Sequence, residues 1–158
     1  MTKDLPTPGD KAPDFTAPTD GGGELMLSAL KGKAVVLYFY PKDDTPGCTA
    51  QACAFREANA KFARAGAKIV GVSKDSVARH DKFKAKYDLP FPLVSDQDSA
   101  ISEAYGVRKE KSMYGRKYMG IERSTFVIDA KGVIRKAWRK VKVGSHVDEV
   151  LAAVKALS

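Results

Sequence analysis

The amino-acid sequence predicts an α/β fold in which a mixed central sheet is flanked by helices and preceded by an N-terminal β-hairpin. Apolar runs typical of buried strands alternate with amphipathic helical segments through much of the chain. A strand–turn–strand pattern then precedes a last helix. A length of 158 residues suits one domain with a sizeable core, so we expect a single domain over residues 1–158.

Each element is predicted from its pattern of apolar residues and from the signals at its ends. Strands are expected where apolar and β-branched residues run together, and helices where apolar residues recur every three or four positions. Glycine, proline and capping serine mark the ends. In chain order, the predicted elements are the hairpin (13–18 with 24–27), a buried strand (34–40), a helix (49–65), a buried strand (68–73), a helix that Ser76 caps (to about 87), a short strand (92–94), a short helix (99–105), a strand (124–128), a strand (133–141) and a last helix (147–157).

The order of these elements places parallel crossovers first and a hairpin last, which is the layout of a thioredoxin-like domain. Residues 106–120 interrupt this order. They contain many basic residues, and we expect them to form an exposed, loop-rich insertion.

Composition and charge limit the classes of function. The chain has 44% hydrophobic and 29% charged residues, which are ordinary proportions for a soluble globular protein. Its net charge is +8, but lysines and arginines are spread along the whole sequence, so we expect a solvated basic surface and no nucleic-acid partner. No secretory signal or membrane-length apolar run is present, which favours a cytoplasmic protein without a membrane partner.

The stretch from residue 41 to residue 53 carries the predicted chemistry. It lies where a central strand ends and a helix begins, the edge at which open α/β sheets bind ligands. Cys48 falls in the first turn of that helix, where unpaired N–H groups and the helix dipole favour a thiolate over a thiol. A thiolate can attack the O–O bond of a peroxide and become a sulfenic acid. The alternative is that Cys48 is a small buried apolar residue.

A second cysteine, Cys53, gives more weight to the catalytic interpretation. Five residues of helix separate two Cα atoms by about 8–9 Å. A disulfide needs them within about 7 Å. A permanent bond within an intact helix is therefore excluded, whereas a transient bond that forms as the first turns unwind suits a catalytic cycle. A metal site is disfavoured, because two thiolates do not complete a tetrahedral site and the only histidines, His80 and His146, are distant in sequence.

Three residues near Cys48 have both structural and functional interpretations. Thr45 is either a helix cap or a hydroxyl that orients a peroxide oxygen. Pro41 ends the strand, and its ring could also cover the sulfur. Gly47 would let the backbone approach a small substrate closely.

A thiolate also needs a cation that stays charged, and arginine meets this need. Arg123 directly precedes a strand expected in the same sheet as the strand before Cys48. Arg56, close to Cys53 on the same helix, is a competing candidate, and the residues alone leave this choice open.

These residues together resemble a known family. The segment from Val36 to Thr49, VLYFYPKDDTPGCT, is similar to the peroxiredoxin signature Pro-x-x-x-Thr-x-x-Cys. The second cysteine, five residues after the first, resembles the PrxQ or bacterioferritin-comigratory subfamily. The similarity continues through residues 86–93 and 118–126 and covers essentially the whole chain.

The resemblance implies a thioredoxin-like peroxiredoxin fold and a thiol peroxidase that reduces hydrogen peroxide and organic hydroperoxides. It implies that Cys48 is the peroxidatic cysteine and that Pro41, Thr45 and Arg123 complete the peroxide pocket, which favours Arg123 over Arg56. Cys53 would resolve the sulfenic acid as an intramolecular disulfide, to be reduced by a thioredoxin-type dithiol. The resemblance implies no metal or organic cofactor, and we expect a monomer because the disulfide needs no second chain.

Two alternatives belong to other classes of function. A thiol–disulfide oxidoreductase of thioredoxin type would reduce protein disulfides without peroxide, but its usual Cys-x-x-Cys pair is absent. A basic binding module without enzymatic activity would bind nucleic acid in a salt-dependent manner.

Overall fold

The computed structural model describes residues 6–157, so the expected domain limits at residues 1 and 158 lie outside the described part. Its strands and helices alternate along most of the chain. The strands are β1 (Thr16–Pro18), β2 (Glu24–Met26), β3 (Ala34–Phe39), β4 (Ala67–Ser73), β5 (Leu93–Ser95), β6 (Arg108–Met113), β7 (Arg116–Ile121), β8 (Ser124–Ile128) and β9 (Ile134–Trp138), and the helices are α1 (Pro46–Arg64), α2 (Val77–Tyr87), α3 (Ala100–Ala104) and α4 (His146–Lys155).

A five-stranded mixed sheet in the order β5-β4-β3-β8-β9 forms the centre of the fold. Strands β3, β4 and β5 are parallel, and α1 and α2 make the two crossovers between them. Strands β8 and β9 join on the other side as an antiparallel hairpin. The predicted mixed sheet is confirmed, and so is the N-terminal hairpin, because β1 pairs antiparallel with β2.

Strand β3 is buried on both faces, as its continuous apolar sequence predicts. Val36 and Tyr38 pack on one face with apolar residues of α1, α2 and α4. Leu37 and Phe39 pack on the other face in a second apolar cluster, which includes residues of α3 and β8. The sheet therefore separates two cores, and the end of β3 lies between them.

The prediction of a loop-rich insertion over residues 106–120 is wrong. Strands β6 and β7 form an antiparallel hairpin around Tyr114 and Gly115, which both have positive φ. Both strands carry charged residues and pack little apolar surface, so they lack the apolar pattern by which a strand is predicted. The expected exposure is confirmed at the tip of the hairpin, where Tyr114 is 98% exposed, but not at the start of the segment, where Val107 is fully buried.

Helix α1 begins at Pro46, three residues earlier than predicted, because proline suits the first position of a helix. The predicted cap of α2 is confirmed by the Ser76 hydroxyl, which accepts a hydrogen bond from the Arg79 N–H at 3.2 Å. Among the helices over residues 6–157, none combines the length and the apolar composition of a membrane span.

Close packing of Tyr38 against Gly71 gives a prediction about stability. A Cβ atom at Gly71 would lie 3.0 Å from the Tyr38 hydroxyl oxygen, inside a filled core. We expect Gly71→Ala to lower the free energy of unfolding by about 1–3 kcal/mol. Tyr38→Phe removes a buried hydroxyl that has no partner among the described residues, so this change should be neutral or stabilising and should partly rescue Gly71→Ala. Urea unfolding checks both effects, and an undiminished stability of Gly71→Ala would contradict them.

Candidate active site

The site begins at the first turn of α1, directly after the loop that follows β3. Thr45 has extended backbone and precedes the helix, and Cys48 is the third residue within it. The first helical hydrogen bond runs from the Thr49 N–H to the Thr45 carbonyl at 2.8 Å. The N–H groups of Gly47 and Cys48 have no acceptor within residues 6–157, so the positive end of the helix lies at the cysteine.

Cys48 and Arg123 are in direct contact. The Cys48 side chain is buried, and its Sγ accepts a hydrogen bond from Arg123 Nη2 at 3.3 Å. Arg123 reaches the sulfur because the next residue, Ser124, pairs with Phe39 at the end of β3. The arrangement puts a permanent positive charge beside a sulfur that can ionise.

Gln51, which sequence reasoning missed, orients this arginine. Its Oε1 accepts a hydrogen bond from Arg123 Nη1 at 2.6 Å, and its side chain is almost fully buried. It lies one helical turn after Cys48, and this spacing is the signal that could have identified it. The competing candidate Arg56 donates instead to the Tyr87 carbonyl at 2.7 Å and pairs with Glu57.

The other predicted site residues lie in the loop after β3 and in the first turn of α1. Thr45 does not cap the helix with its side chain, because its hydroxyl donates to the Lys42 carbonyl at 3.0 Å. Pro41 is half-buried and borders an open cavity of about 550 Å³. Gly47 leaves space for the guanidinium, since a Cβ atom there would lie 3.2 Å from Arg123 Nη2.

Cys53 is half-buried in the same continuous helix as Cys48, and both thiols are free. On helical geometry the two Cα atoms lie about 8–9 Å apart, and a disulfide requires about 7 Å or less. A bond between the two sulfurs therefore requires the first turns of α1 to unwind.

A buried polar pair holds the loop that leads to Cys48. Asp43 Oδ2 lies 2.6 Å from Nδ1 of His80, whose ring is completely buried in α2. Burial alone would lower the pKa of His80, but the hydrogen bond and charge of Asp43, with the Val94 carbonyl and Asp75, outweigh it and raise that pKa. Sequence reasoning missed this contact because 37 residues separate the partners.

The second histidine has the opposite protonation behaviour. His146, at the start of α4, is buried against Trp138 and Phe55, and its Nε2 lies 2.9 Å from the Thr125 hydroxyl. Burial lowers the pKa of His146, and the nearby charge of Arg123 acts in the same direction.

Comparison with known proteins identifies the family. Residues 8–137 match the model of the AhpC/TSA family. The chain belongs to this family. The putative peroxiredoxin Bcp of Coxiella burnetii is 57% identical over 90% of the chain and 95% of that protein. The peroxiredoxin Bcp of Bacillus subtilis is 53% identical over 95% of the chain and 96% of that protein.

Solved structures agree with this assignment. Peroxiredoxin Q of Xanthomonas campestris superposes with a TM-score of 0.87 at 52% identity and covers 90% of both chains. A PrxQ variant of Xylella fastidiosa superposes with a TM-score of 0.92 at 41% identity, over 98% of this chain and 99% of that one. Another structure of the Xanthomonas protein concerns its alkyl peroxide reduction activity. The thioredoxin-like peroxiredoxin fold is thus confirmed, and the chain is a thiol peroxidase. Over residues 6–157, no cluster of three or more potential metal ligands is present.

The space that Gly47 leaves for the guanidinium can be tested by filling it. Gly47→Ala should displace Arg123 from Cys48, and with Cys48 as the expected peroxidatic cysteine this should slow its oxidation by peroxide about tenfold, since a hydrogen bond to a charged group is lost. Alanine also favours the helix by up to about 1 kcal/mol, so the variant should be no less stable than the wild type. Rapid-mixing peroxide kinetics and urea unfolding measure the two effects. An unchanged rate would show that the contact between Arg123 and Cys48 does not contribute to the reaction with peroxide.

The two buried histidines predict a stability optimum. The contribution of His80, whose folded pKa is raised, is complete below the unfolded pKa of about 6.5 and declines as pH rises through the folded value. The contribution of His146, whose folded pKa is lowered, is complete above about 6.5 and declines as pH falls below it. We therefore expect the histidine contribution to the unfolding free energy to be largest near pH 6.5.

Unfolding by urea between about pH 5 and pH 8 checks this optimum. His80→Gln should flatten the alkaline side of the profile, and His146→Gln should flatten the acidic side. A profile whose alkaline side is the same in wild type and His80→Gln would show that His80 does not carry the charge in the folded state.

Proposed function

We propose that Cys48 is the peroxidatic cysteine of this peroxiredoxin and that Cys53 resolves its oxidised form. The observation that carries the proposal is the Cys48 sulfur, buried at the positive end of α1 with Arg123 Nη2 at 3.3 Å. Membership of the AhpC/TSA family supports a thiol chemistry at this position.

In the first step, the Cys48 thiolate attacks one peroxide oxygen and the O–O bond breaks. The sulfur takes that oxygen and becomes a sulfenic acid, while the other oxygen leaves with the bonding electron pair and takes a proton to give water or an alcohol. Arg123 and the free N–H groups of Gly47 and Cys48 are donors that can stabilise the charge on the leaving oxygen. Thr45 and Pro41 are proposed to hold the peroxide and to limit access of water to the sulfur.

In the second step, the start of α1 unwinds and the Cys53 thiol attacks the sulfenic sulfur of Cys48. A disulfide forms and water leaves, so the oxidising equivalent is stored within one chain. The half-buried position of Cys53 in the intact helix supports a bond that forms only after unwinding.

The proposed function also includes a reductant, a range of substrates, an oligomeric state and a cellular location. An external dithiol of thioredoxin type is proposed to reduce the disulfide by exchange. Hydrogen peroxide and organic hydroperoxides are proposed as substrates, and the alkyl peroxide reduction activity of the bacterioferritin comigratory protein of Xanthomonas campestris supports the second class. We propose that the chain acts as a monomer, because the resolving thiol lies on the same helix as the nucleophile and no second chain is needed. We also propose that it is a single-domain cytoplasmic protein without a nucleic-acid or membrane partner.

Two cysteine variants test these roles. Cys48→Ser should abolish peroxide reduction, because the serine hydroxyl is not ionised at neutral pH. Cys53→Ser should react with one equivalent of peroxide at the wild-type rate, accumulate a trappable sulfenic acid and lose turnover with a dithiol. Stopped-flow kinetics and mass spectrometry of the trapped adduct distinguish the two. Native turnover by Cys48→Ser would refute the peroxidatic role, and normal cycling of Cys53→Ser would refute the resolving role.

A further inference from the structure

The buried Asp43–His80 pair joins the loop before Cys48 to the rest of the domain. Asp43 Oδ2 lies 2.6 Å from His80 Nδ1, and Asp43 Oδ1 accepts a hydrogen bond from the Tyr40 hydroxyl. The Asp43 N–H donates to Asp75 Oδ2 at 2.8 Å. Asp43 is only 3% exposed, so these contacts are shielded from water. One residue of the loop is thus held by three separate parts of the fold.

The partners of His80 decide its protonation. Nε2 lies 3.0 Å from the Val94 carbonyl, which can only accept a hydrogen bond, so Nε2 carries a proton. Nδ1 lies 2.6 Å from Asp43 Oδ2, and an ionised carboxylate can only accept a hydrogen bond, so both contacts of the ring are satisfied when Nδ1 also carries a proton and the ring is an imidazolium.

The other charged groups around the ring are consistent with this charge. Asp75, from the loop between β4 and α2, adds a second carboxylate on the same side. Arg79, on the same helix as His80, is paired with Asp75 at 3.0 Å. Tyr40, which directly follows β3, also packs against the ring, with 6.5 Å between the ring centroids.

The position of Asp43 in the chain gives the pair its importance. Asp43 lies two residues after Pro41 and two residues before Thr45, so it is the centre of the loop that carries both of these residues. The neighbouring carboxylate, Asp44, is exposed, and within residues 6–157 its side chain hydrogen-bonds only to Lys86 and Tyr87. The buried attachment of the loop is therefore at Asp43, five residues before Cys48.

We propose that Asp43 and His80 are a positioning pair for the peroxidase site. The pair fixes the loop so that Pro41 and Thr45 keep their places before the helix that carries Cys48, and it is the fixed end beyond which α1 unwinds when Cys53 approaches. This inference rests on the proposed roles of Cys48 and Cys53. The proposal predicts different effects on the two steps. The pair supports the oxidation of Cys48 by peroxide, but it is not needed for the formation of the disulfide that follows.

The test measures the two steps separately in four variants. His80→Gln and Asp43→Asn should each slow the oxidation of Cys48 by peroxide about tenfold, since each removes a charge-assisted hydrogen bond. Disulfide formation from the sulfenic acid should not slow, because the loop is held less firmly. The double variant should regain part of the lost rate, since two amides can pair. Asp44→Asn is the matched control in the same loop, and it should be oxidised at the wild-type rate.

A fifth variant, Tyr40→Phe, and an NMR spectrum of the wild-type protein still test the proposal if the other variants fail to fold. Tyr40→Phe removes one hydroxyl from Asp43, keeps the ring, and should slow oxidation by a factor of about two to ten. Nitrogen-15 NMR of the wild-type protein at neutral pH should show both His80 ring nitrogens protonated. If His80→Gln or Asp43→Asn fails to fold, Tyr40→Phe decides the question.

Three outcomes would overturn the proposal: wild-type oxidation rates in the folded variants, a loss equal in both steps, or an unprotonated His80 Nδ1. Failure of the proposed function would give a different result. In that case Cys48→Ser would retain peroxide reduction, independently of the effects of the His80 and Asp43 variants.

Discussion

The antiparallel pairing of β8 with β3 is the interaction on which the arrangement of the site depends. Phe39, at the end of β3, pairs with Ser124, so the residue before Ser124 must lie at the edge of the sheet where α1 begins. That residue is Arg123, and its guanidinium meets the Cys48 sulfur across this edge. Two segments that are 75 residues apart in the chain therefore become neighbours through the backbone hydrogen bonds of the sheet. A shift of one residue in this pairing would direct the arginine to the opposite face.

The start of α1 must satisfy two opposing requirements. Oxidation requires a buried sulfur with donors in fixed positions, whereas the proposed disulfide requires the same turn to unwind. The composition of the turn is suited to both. Pro46 and Gly47 contribute no buried apolar side chain, and Thr45 provides no side-chain cap, so the first turn is held mainly by the packing of Cys48 and its hydrogen bond from Arg123. Further along the helix, Phe55 and Phe62 are fully buried, and they retain the rest of α1 when its start unwinds.

The sequence was sufficient to predict the elements that bury apolar surface. The continuous apolar run of β3, the apolar side of α1 and the hairpin of β8 and β9 all appear in the structure, because burial leaves a pattern in the residue types. The hairpin of β6 and β7 could not be predicted in this way. Its stability comes from backbone hydrogen bonds and a turn at Tyr114 and Gly115, which lacks the usual Asn-Gly signature.

The candidate site was predictable only in part, because only contacts between residues close in sequence leave a pattern that can be interpreted. Cys48, Thr45 and Cys53 are near one another in the sequence, so their spacing could be interpreted. Gln51 and His80 act through contacts with residues distant in sequence, and their residue types alone do not distinguish them from ordinary polar residues. The residues alone left Arg56 as a competitor of Arg123 and the family resemblance favoured Arg123, which in the structure contacts Cys48, whereas Arg56 donates to the Tyr87 carbonyl.

His80 and Arg123 differ in how far a neighbouring carboxylate neutralises their charge. The imidazolium of His80 lies 2.6 Å from the carboxylate of Asp43, so the pair has little net charge to exert on the sulfur. Arg123 is held instead by the neutral amide of Gln51, and among the described residues it has no carboxylate partner within salt-bridge distance. An amide orients the guanidinium without cancelling its charge, which therefore remains available to the proposed Cys48 thiolate and to the oxygen that would leave the peroxide. Charge that only fixes the backbone is neutralised in this site, and charge that faces the reacting atoms is not.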